Sequence, residues 1–419
     1  MKRLQPKSYP AFRCIGAECE DTCCIGWNVN VDKQTFEAYQ RVDDPELGPR
    51  LRERVTVNPN AKRDDGYARI ALSGDVCPFF SEGLCEIQKK LGEEYLSNMC
   101  ARYPRAMNIV DDVLERSLDL SCPEAARVVL LDPAPIEFEQ IENAADNVRT
   151  GSLPVLRTSA DNSGKPYAHF HEIRSLVIWL LQRRVKPLWK RVAILGSVCD
   201  QLHQTVTAGR PEQIPAILEA CRDRVIRNLF EPALDTPNVQ AAKQIEMVVE
   251  LVVARITSDY TSPRFRGCYQ EFMQGLEWTM QSSMADLAQR FESASANYYA
   301  PFMRKHEQIL EHYLVSYIFR TLFPLGPQEV SSELGASHVG RSIRDECLLM
   351  LVHYAVVQTL LIGIGALHKS QFDAHVVIRV IQTSVRTFEH SVDFPGRALE
   401  ILASKGVDTC SQLALLLRN

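Results

Sequence analysis

Eight of the thirteen cysteines lie in the first 122 residues, and their crowding points to metal chemistry. Four of them fall within eleven positions, and these are Cys14, Cys19, Cys23 and Cys24. The other four are spaced more widely and are Cys77, Cys85, Cys100 and Cys122. Thiolates are the protein ligands of iron–sulfur clusters and of structural zinc. We therefore predict that this region binds metal and that the five later cysteines are ordinary buried side chains.

The spacing of these cysteines leaves the identity of the metal open. Structural zinc usually takes thiolates arranged as two C-x2-4-C pairs. The first group here reads C-x4-C-x3-C-C, and the second reads C-x7-C-x14-C. An iron–sulfur cluster tolerates looser spacing, because each iron needs only one thiolate. Reduced cysteines without metal are the third alternative. The C-x3-C-x2-C signature of enzymes that cleave S-adenosylmethionine reductively is absent, because Cys24 follows Cys23 directly.

Composition and charge are those of a soluble globular protein. The chain has 419 residues and a net charge of −5, which disfavours a nucleic-acid partner because such proteins carry a basic surface. The basic residues near Met1 are not followed by an apolar stretch, so we expect no secretory signal and a cytoplasmic location. Disulfides do not persist in the reducing cytosol, where clustered thiols more often bind metal.

One segment, residues 348–367, is long and apolar enough to cross a membrane. It contains His353 and Gln358, and charged residues directly precede it. The sequence offers no second span to accompany it. We therefore predict a buried central helix and no membrane partner.

The first 130 residues predict a small α+β module. Apolar and polar residues alternate over 27–31 and 67–72, as they do in half-buried strands. The segment 107–120 resembles a hairpin with its turn at Asp111-Asp112. The segment 86–99 is the one helix that we predict in this module.

The rest of the chain predicts helices. Residues 131–168 are rich in Pro, Asn and Ser, which is typical of a linker or an extended crossover. After residue 169, apolar residues recur at three- and four-residue spacing, and prolines interrupt the pattern at predicted helix boundaries. The predicted fold class is therefore mostly α. A small cysteine-rich α+β metal-binding module over 1–130 is followed by a linker over 131–168 and a large all-helical domain over 169–419.

The cysteine motifs resemble those of a known family, the flagellin lysine-N-methylases. The N-terminal segments that carry the resemblance are Cys14, Cys19, Cys23-Cys24-Ile-Gly-Trp27, Cys77-Pro-Phe79, Gly83-Leu-Cys85-Glu-Ile87, Leu91-Gly-Glu-Glu94, Cys100-Ala-Arg-Tyr-Pro-Arg105 and Ser121-Cys-Pro-Glu-Ala-Ala126. Two helical segments, 311–319 and 388–391, are also similar. The resemblance covers most of the chain, and the order of the cysteines is its specific part.

The resemblance implies a bacterial cytoplasmic methyltransferase that moves methyl groups from S-adenosylmethionine to lysine ε-amines of flagellin. It also implies a [4Fe-4S] cluster in the N-terminal module, with zinc as the alternative metal. A single cluster needs four of the eight thiolates. We favour Cys77, Cys85 and Cys100 together with one cysteine of the first group. The oligomeric state is left open.

The sequence lacks the usual signature of a site for this methyl donor. A Rossmann-type site would show a strand, a glycine-rich turn and a helix, followed by an acidic residue. The nearest approach is Gly363-Ile-Gly365, which lies inside an apolar helical stretch and which we interpret as close helix packing. We therefore expect S-adenosylmethionine to bind in a pocket between helices.

Polar residues on otherwise apolar helical segments are the candidates for that pocket. The predicted catalytic residues, which would accept the proton of the lysine, are Tyr313, Tyr317, His353 and Glu389. The residues predicted to bind the methyl donor are Glu311, Tyr354, Gln358, Arg386 and His390. Each of them alone is more readily explained as a core polar group or part of a solvated face. Their recurrence on three successive helices is what favours a site.

The alternative function is that of a non-enzymatic metal-cluster protein. Such a protein would be a redox sensor, a scaffold or a zinc-stabilised adaptor whose helical domain binds a partner. Methylation of an amine is a polar displacement that requires no electron transfer. If the chain is an enzyme, we therefore expect its cluster to serve structure or substrate positioning.

Overall fold

The structure, a computed structural model, is mostly helical, with 60% of the residues in helices. It describes residues 2–27, 29–61, 63–142, 153–162, 164–230, 240–258, 261–329 and 339–418. Within these ranges, three small sheets precede a series of packed helices. The predicted mostly α fold class is confirmed, whereas metal binding by the N-terminal part stays a prediction.

The strands form a five-stranded, a three-stranded and a two-stranded sheet. Their bounds are β1 Lys2–Pro6, β2 Asn30–Val31, β3 Val55–Val57, β4 Ala68–Ile70, β5 Phe80–Ser81, β6 Leu84–Cys85, β7 Arg105–Val110, β8 Val113–Leu118, β9 Phe138–Ile141 and β10 Val155–Leu156. The large sheet has the order β10-β7-β8-β1-β9, in which β1 runs parallel to β8. The small sheets are β2-β4-β3 and β5-β6.

The predicted hairpin and strands are present. β7 and β8 form an antiparallel hairpin whose turn holds Asp111 at a φ of 52°. The strands expected over 27–31 and 67–72 are found in shorter form as β2 and β4, which pair with each other.

Helices occur in both parts of the chain. In the N-terminal part they are α1 Lys33–Gln40, α2 Leu47–Arg54, α3 Glu86–Leu91, α4 Asn98–Arg102 and α5 Pro123–Leu130. The later helices are α6 Phe170–Leu181, α7 Leu188–Thr207, α8 Ile214–Ile226, α9 Ala241–Ile256, α10 Pro263–Gly275, α11 Met284–Ala294, α12 Ala300–His306, α13 Gln308–Arg320, α14 Ile343–His368, α15 Ala374–Ser384, α16 Phe394–Ser404 and α17 Cys410–Leu416. The prediction of helices beyond residue 169 is confirmed over the described ranges.

The prediction of a single N-terminal helix over 86–99 is wrong. α3 ends at Gly92, which has a φ of 99°, and α4 begins only after Ser97. α1 and α2 were not predicted, because helices of eight residues show little periodicity and depend on tertiary packing for their stability. Asp32 supplies part of that packing. Its carboxylate accepts hydrogen bonds from the backbone N–H groups of Thr35, at 3.0 Å, and of Asn98, at 2.9 Å.

The segment 131–168 contributes both outer strands of the large sheet. β9 pairs antiparallel with β1 at one edge, and β10 pairs parallel with β7 at the other. The described parts of this segment thus cross the sheet from edge to edge. Where the domains divide stays a prediction.

Among the described residues, two larger hydrophobic cores divide the chain differently from the predicted domains, and a third, small cluster of Met107, Leu114 and Leu153 lies on the large sheet. A small core contains apolar residues between Val29 and Leu96, with Tyr39 and Phe79 fully buried in it. The large core contains the helices beyond residue 169, but also residues of the hairpin and of α5. The segment 29–101 therefore packs as a unit of its own, whereas the large sheet belongs with the helices.

The central helix is α14, which is buried from Glu346 to Gly365. Of the helices described, it is the one that is long and apolar enough to cross a membrane, and its apolar stretch is fully buried inside the protein. A Cβ atom on Gly275 of α10 would lie 1.9 Å from the carbonyl oxygen of Gly363. Both predictions for this helix, its burial and the close packing at Gly363-Ile-Gly365, are confirmed.

A buried ion pair fastens the large sheet to α6. The guanidinium of Arg174 donates two hydrogen bonds of 2.6 Å to the carboxylate of Glu115 on β8. The two side chains are only 7% and 1% exposed. The guanidinium also stacks on Phe170 and Phe319, with its carbon 4.5 Å and 5.1 Å from the ring centroids.

We expect Arg174→Ala to lower the free energy of unfolding by about 3–5 kcal/mol, because Glu115 would keep a buried charge without its partner. Urea denaturation followed by circular dichroism measures the change. The matched control is Lys7→Ala, which breaks the exposed pair between Lys7 and Glu137. This control should leave the unfolding curve almost unchanged, and equal effects of the two substitutions would contradict the prediction.

Candidate functional site

A cavity of about 690 Å³ lies between the cysteine-bearing part of the chain and the C-terminal helices. This volume is within the range of about 300–1,000 Å³ that is typical of small-molecule sites. The cavity, called the cleft below, has Cys23, Trp27, Tyr103 and Ser121 on the N-terminal side. The residues that face them include Arg255, Arg386, Thr387, His390 and Asp393.

A π-helical turn shapes the second wall. α15 continues into a π-helix over Val385–Glu389, and His390 follows as its C-cap. Such widened turns are rare and are frequent at functional sites. The turn brings Arg386, Thr387 and His390 to the cleft. The hydroxyl oxygen of Thr387 is buried and has no hydrogen-bond partner among the described residues.

Arg386 ties this turn to residues 14–26, which we call the cysteine loop. Its guanidinium donates to Oδ1 of Asp21 at 2.6 Å and to the backbone carbonyl of Ile25 at 2.5 Å. Gln382, one turn earlier, donates to Oδ2 of Asp21 at 2.8 Å and to the carbonyl of Ser121 at 2.7 Å. Asp21 is therefore held by two side chains of the same helical segment.

A second set of contacts holds the other side of the cysteine loop. Arg127 of α5 donates to the carboxylate of Glu20 at 2.6 Å. Arg264 of α10 donates to the backbone carbonyl of Glu20 at 2.9 Å. Burial would raise the pKa of Glu20, but the hydrogen bond from Arg127, a backbone hydrogen bond and the charges of Arg127 and Arg264 together outweigh it, so the pKa lies below its usual value. The loop is thus clamped by cations from three helices.

A chain of polar groups runs from the cleft into the helical core. His390 Nε2 lies 3.1 Å from Oδ2 of Asp119, and Arg320 Nη1 lies 3.9 Å from the same oxygen. Arg320 also pairs with Glu389, whose other oxygen accepts a hydrogen bond of 2.9 Å from the hydroxyl of Tyr313. Two predicted catalytic residues, Tyr313 and Glu389, thus contact each other behind His390.

The two carboxylates among these polar groups have pKa values that are shifted in opposite directions. Burial would raise the pKa of Asp119, but the charges of His390 and Arg320 outweigh it and hold the pKa well below its usual range. The pKa of Glu389 is raised, because burial outweighs the charge of Arg320. Burial also raises the pKa of Tyr313 well above its usual value. Of these two carboxylates, Asp119 is therefore the one that stays ionised.

Tyr317 and His353 lie together but face a different space. Their ring centroids are 5.7 Å apart. With Glu389 they line a cavity of about 10 Å³, which is about the room that one water molecule needs. The structure therefore brings three of the four predicted catalytic residues to one small space beside the cleft.

The predicted donor-binding residues divide between the core and the cleft. Arg386 and His390 line the cleft. Glu311 is buried and accepts hydrogen bonds from Arg184, at 2.8 Å, and from Arg191, at 2.6 Å. Two others, Tyr354 and Gln358, lie fully buried on α14, where the amide of Gln358 donates to Oη of Tyr354 at 3.4 Å and to the carbonyl of Leu417 at 3.2 Å. Their contacts are those of residues that join helices.

Four of the eight N-terminal cysteines meet around the small core. Cys77 lies in this core, and Cys24, Cys85 and Cys100 pack against it. The N–H of Cys77 donates to the carbonyl of Cys24 at 2.9 Å, which joins the cysteine loop to the second group. The thiol of Cys24 hydrogen-bonds to the sulfur of Cys23, which lowers the pKa of Cys23 to about 7 and raises that of Cys24.

Burial and mutual repulsion keep most of these thiols neutral. Burial raises the pKa of Cys77 to about 11 and that of Cys100 to about 12, and the charge of Cys85 adds to both. A bound cation reverses this effect, because metal ligands bind as thiolates. The soft thiol donors fit an iron–sulfur cluster or zinc. Within the described ranges, however, no three His, Cys, Asp or Glu side chains are close enough to enclose a single metal ion.

Three of the other four N-terminal cysteines lie apart from this group. Cys122 is the N-cap residue of α5 and is buried, which raises its pKa to about 12, with a smaller effect from Cys19. The thiol of Cys19 lies 3.3 Å from the carbonyl of Asp21. Cys14 is exposed. The structure therefore separates Cys14, Cys19 and Cys122 from the four cysteines around the small core, and Cys23 lies between the two groups, because its charge acts on Cys122 as well as on Cys85.

Several residues in the cleft wall, and Asp119 behind it, were not predicted from the sequence. Asp119 and Ser121 belong to the turn before α5, and Trp27 and Tyr103 form an aromatic pair with ring centroids 5.7 Å apart. The motifs Cys23-Cys24-Ile-Gly-Trp27 and Cys100-Ala-Arg-Tyr103 contain this pair, but the sequence does not show that the two rings meet. Nothing in the local pattern marks Asp119, whose partner His390 is 271 residues away.

Comparisons with known proteins agree on one family. The family model described as the FliB lysine N-methylase C-terminal domain matches residues 174–416. A protein named lysine-N-methylase from Salmonella typhimurium (strain LT2) is 31% identical over 130 residues, which is 31% of this chain and 32% of that protein. The flagellar biosynthetic protein FliU of Salmonella muenchen has the same identity over 130 residues, which is 77% of its length. No solved structure matches.

The clamp on the cysteine loop can be tested with Asp21→Ala. This substitution removes the charge-assisted hydrogen bonds from Arg386 and Gln382, each worth about 1.5–3 kcal/mol. Amide hydrogen exchange over residues 14–26 should therefore become faster by about tenfold or more, while exchange in α14 stays the same. Glu18→Ala, at an exposed residue of the same loop, is the control and should change neither. Unaltered exchange in Asp21→Ala would show that the loop is held by other contacts.

Proposed function

Since the chain belongs to the FliB lysine N-methylase family, we propose that it transfers methyl groups from S-adenosylmethionine to lysine ε-amines of flagellin. The observation that carries the proposal is the cleft, which lies beside the family-matched helices and combines aromatic, cationic and titratable side chains. The matched part spans about a third of the curated lysine-N-methylases, at 32% of their length. A relative with a flagellar name supports flagellin as the substrate and the cytoplasm as the place of reaction.

The reaction sets two requirements for the site. A lysine ammonium group has a pKa of about 10.4 and no free electron pair, so it must lose a proton before its nitrogen can attack the methyl carbon. The nitrogen, the methyl carbon and the sulfur must then lie in line. A site for this reaction therefore needs a wall that binds a cation and a group that accepts a proton.

The cleft meets the first requirement, a wall that binds a cation. The rings of Trp27 and Tyr103 form part of its wall. Aromatic faces attract ammonium and sulfonium cations through their quadrupole. Asp75 and Asp393 add negative charge to the same cleft, while Arg255 and Arg386 can bind a carboxylate of the methyl donor. Both cationic reactants thus find a partner without a Rossmann-type loop.

The cysteines of the small core are proposed to hold a [4Fe-4S] cluster. Cys77, Cys85 and Cys100 would be three ligands. Cys24 would be the fourth, because its carbonyl accepts a hydrogen bond from the N–H of Cys77 and its side chain packs on the same core. When bound, the cluster supplies thiolate–iron bonds that cross-link three segments of this core. The displacement requires no electron from it. Zinc is the alternative metal for the same thiols.

Metal analysis tests the cluster. Protein purified without oxygen should be brown and contain about four irons and four sulfides per chain. Cys77→Ser, Cys85→Ser or Cys100→Ser should bleach the colour, because each removes a ligand. The control is Cys221→Ser, at a buried cysteine of α8, and it should keep the colour. Stoichiometric zinc without sulfide would contradict a cluster and establish the alternative metal.

A direct displacement by the lysine nitrogen predicts which products form and that no reductant is needed. Incubated with flagellin and S-adenosylmethionine, the protein should form methyl-lysine and S-adenosylhomocysteine without any reductant, as mass spectrometry of both products can show. Methionine and 5′-deoxyadenosine, formed only with a strong reductant, would mean that the cluster is catalytic. Absence of methyl-lysine under both conditions would favour the non-enzymatic metal-cluster protein.

A further inference from the structure

We infer that His390, oriented by Asp119, is the residue that takes the proton from the substrate lysine in the cleft. The inference rests on the proposed methyl transfer and adds to it the group that accepts the proton. Neither Asp119 nor a basic role of His390 was predicted from the sequence. The position of His390 in the cleft, the geometry of its carboxylate partner and the nature of the wall around them carry the inference.

His390 is the histidine that the described structure places in the cleft wall. It follows the π-helical turn, and its side chain is 27% exposed, so its ring can reach a bound molecule. Imidazole is the side chain best suited to accept a proton near neutral pH. The lysine of the substrate would meet such an acceptor on entering the cleft.

Asp119 fixes the ring in the state that accepts a proton. Its Oδ2 lies 3.1 Å from Nε2 of His390, and its Oδ1 accepts a hydrogen bond of 2.9 Å from the backbone N–H of Ser121. A carboxylate beside one ring nitrogen holds the hydrogen on that nitrogen and leaves the electron pair on the other. Nε2 therefore donates to Asp119, and Nδ1 is the acceptor.

The negative charge of Asp119 is itself secured. Arg320 lies 3.9 Å from its Oδ2. Burial would raise its pKa, but the charge that His390 carries once its ring is protonated, the charge of Arg320 and the hydrogen bond from Ser121 together keep the pKa well below the usual range. The carboxylate thus stays ionised when the ring gains a proton, and it stabilises the imidazolium that forms.

The same turn positions the aromatic wall. The hydroxyl of Tyr103 lies 3.0 Å from the hydroxyl of Ser121, two residues after Asp119. Trp27 packs against Tyr103, and its indole N–H donates to the carbonyl of Cys23. The rings that would hold the ammonium and the carboxylate that orients its acceptor are therefore fastened to one backbone turn.

The residues predicted as acceptors from the sequence are less suited to this role. Tyr313 and Tyr317 are buried, and burial raises both pKa values well above the usual range. Glu389 is bound by Arg320 and Tyr313. His353 faces the small space beside the cleft. Tyr313, Glu389 and Arg320 instead act as positioning residues. Tyr313 holds Glu389, Glu389 holds Arg320, and Arg320 lies beside Asp119.

Proton transfer to His390 precedes the transfer of the methyl group. Nδ1 of His390 takes one proton from the ammonium group, and the free amine attacks the methyl carbon of S-adenosylmethionine. The nitrogen–carbon bond forms while the carbon–sulfur bond breaks, and its electron pair stays on sulfur as S-adenosylhomocysteine. The product amine carries the positive charge as methylammonium. The imidazolium then releases its proton to water in the cleft.

Charged and titratable groups surround His390 on both walls. They are Asp119, Arg320 and Glu389 from the network, and Cys23, Arg69, Asp75, Tyr103, Arg255, Arg386 and Asp393 from the cleft. Asp119 is the one in hydrogen-bonding contact with its ring.

His390→Gln tests the inference with the full-length protein, flagellin and S-adenosylmethionine. We expect kcat at pH 7 to fall by about 10²–10⁴, the usual contribution of a general base. KM for the methyl donor should change little. The remaining rate should rise about tenfold per pH unit between pH 7 and 9, because only lysine that is already neutral reacts. The wild-type rate should change less with pH in this range, because His390 takes the proton of the lysine, and added imidazole should restore part of the variant's activity.

Two further variants keep the test decisive. His375→Gln, at an exposed histidine of the neighbouring α15, should behave as wild type. Asp119→Asn should lower kcat without loss of bound methyl donor, because the amide no longer fixes the ring. A His390→Gln variant with the wild-type rate and pH profile would overturn the inference, as would a loss that is equal at every pH and is not rescued by imidazole. Should the wild-type protein form no methyl-lysine, the proposed function fails as well, and that result is distinct from the other two.

Discussion

The bond between Arg386 and the cysteine loop is the contact on which the arrangement of the cleft depends. One guanidinium bridges the carboxylate of Asp21 and the carbonyl of Ile25, and thereby joins two parts of the chain that are 361 residues or more apart. The cleft exists only between these parts, since one wall belongs to the N-terminal side and the other to the π-helical turn. A cation at this position satisfies a buried carboxylate and a backbone acceptor together, which a neutral side chain of the same length would not do.

The π-helical turn explains why a purely helical segment can carry a site. In a regular α-helix, residues three and four apart share a face, so Arg386 and Glu389 or His390 would form one stripe. Here the turn over Val385–Glu389 sends Arg386 and His390 to the cleft, while Glu389 points inward to Arg320 and Tyr313. Side chains from one short segment thus serve both the cleft and the network that holds its back wall.

The sequence predicted those features that depend on local pattern. The hairpin, the helices beyond residue 169 and the burial of α14 follow from periodicity and composition, and structure confirms them. Arg386 and His390, which line the cleft, were candidates because polar residues on an apolar helix are conspicuous, and their role in binding the methyl donor stays a prediction. Asp119 was missed because its role is set by a partner 271 residues away. Glu311 carries the same signal as His390 but lies in ion pairs with Arg184 and Arg191, so composition alone does not separate a ligand-binding group from a satisfied core group.

A cluster in the small core would act on the cleft through very few bonds. The carbonyl of Cys24 accepts a hydrogen bond from the backbone N–H of Cys77, and the carbonyl of the next residue, Ile25, accepts one from Arg386. Any metal that fixes Cys24 and Cys77 therefore fixes the carbonyl that positions Arg386. Because His390 closes the same π-helical turn, the chain of contacts extends from the cysteines to the proposed proton acceptor. A cluster can thus serve methyl transfer without exchanging electrons, since holding one wall of the cleft requires only that its thiolate bonds keep their places.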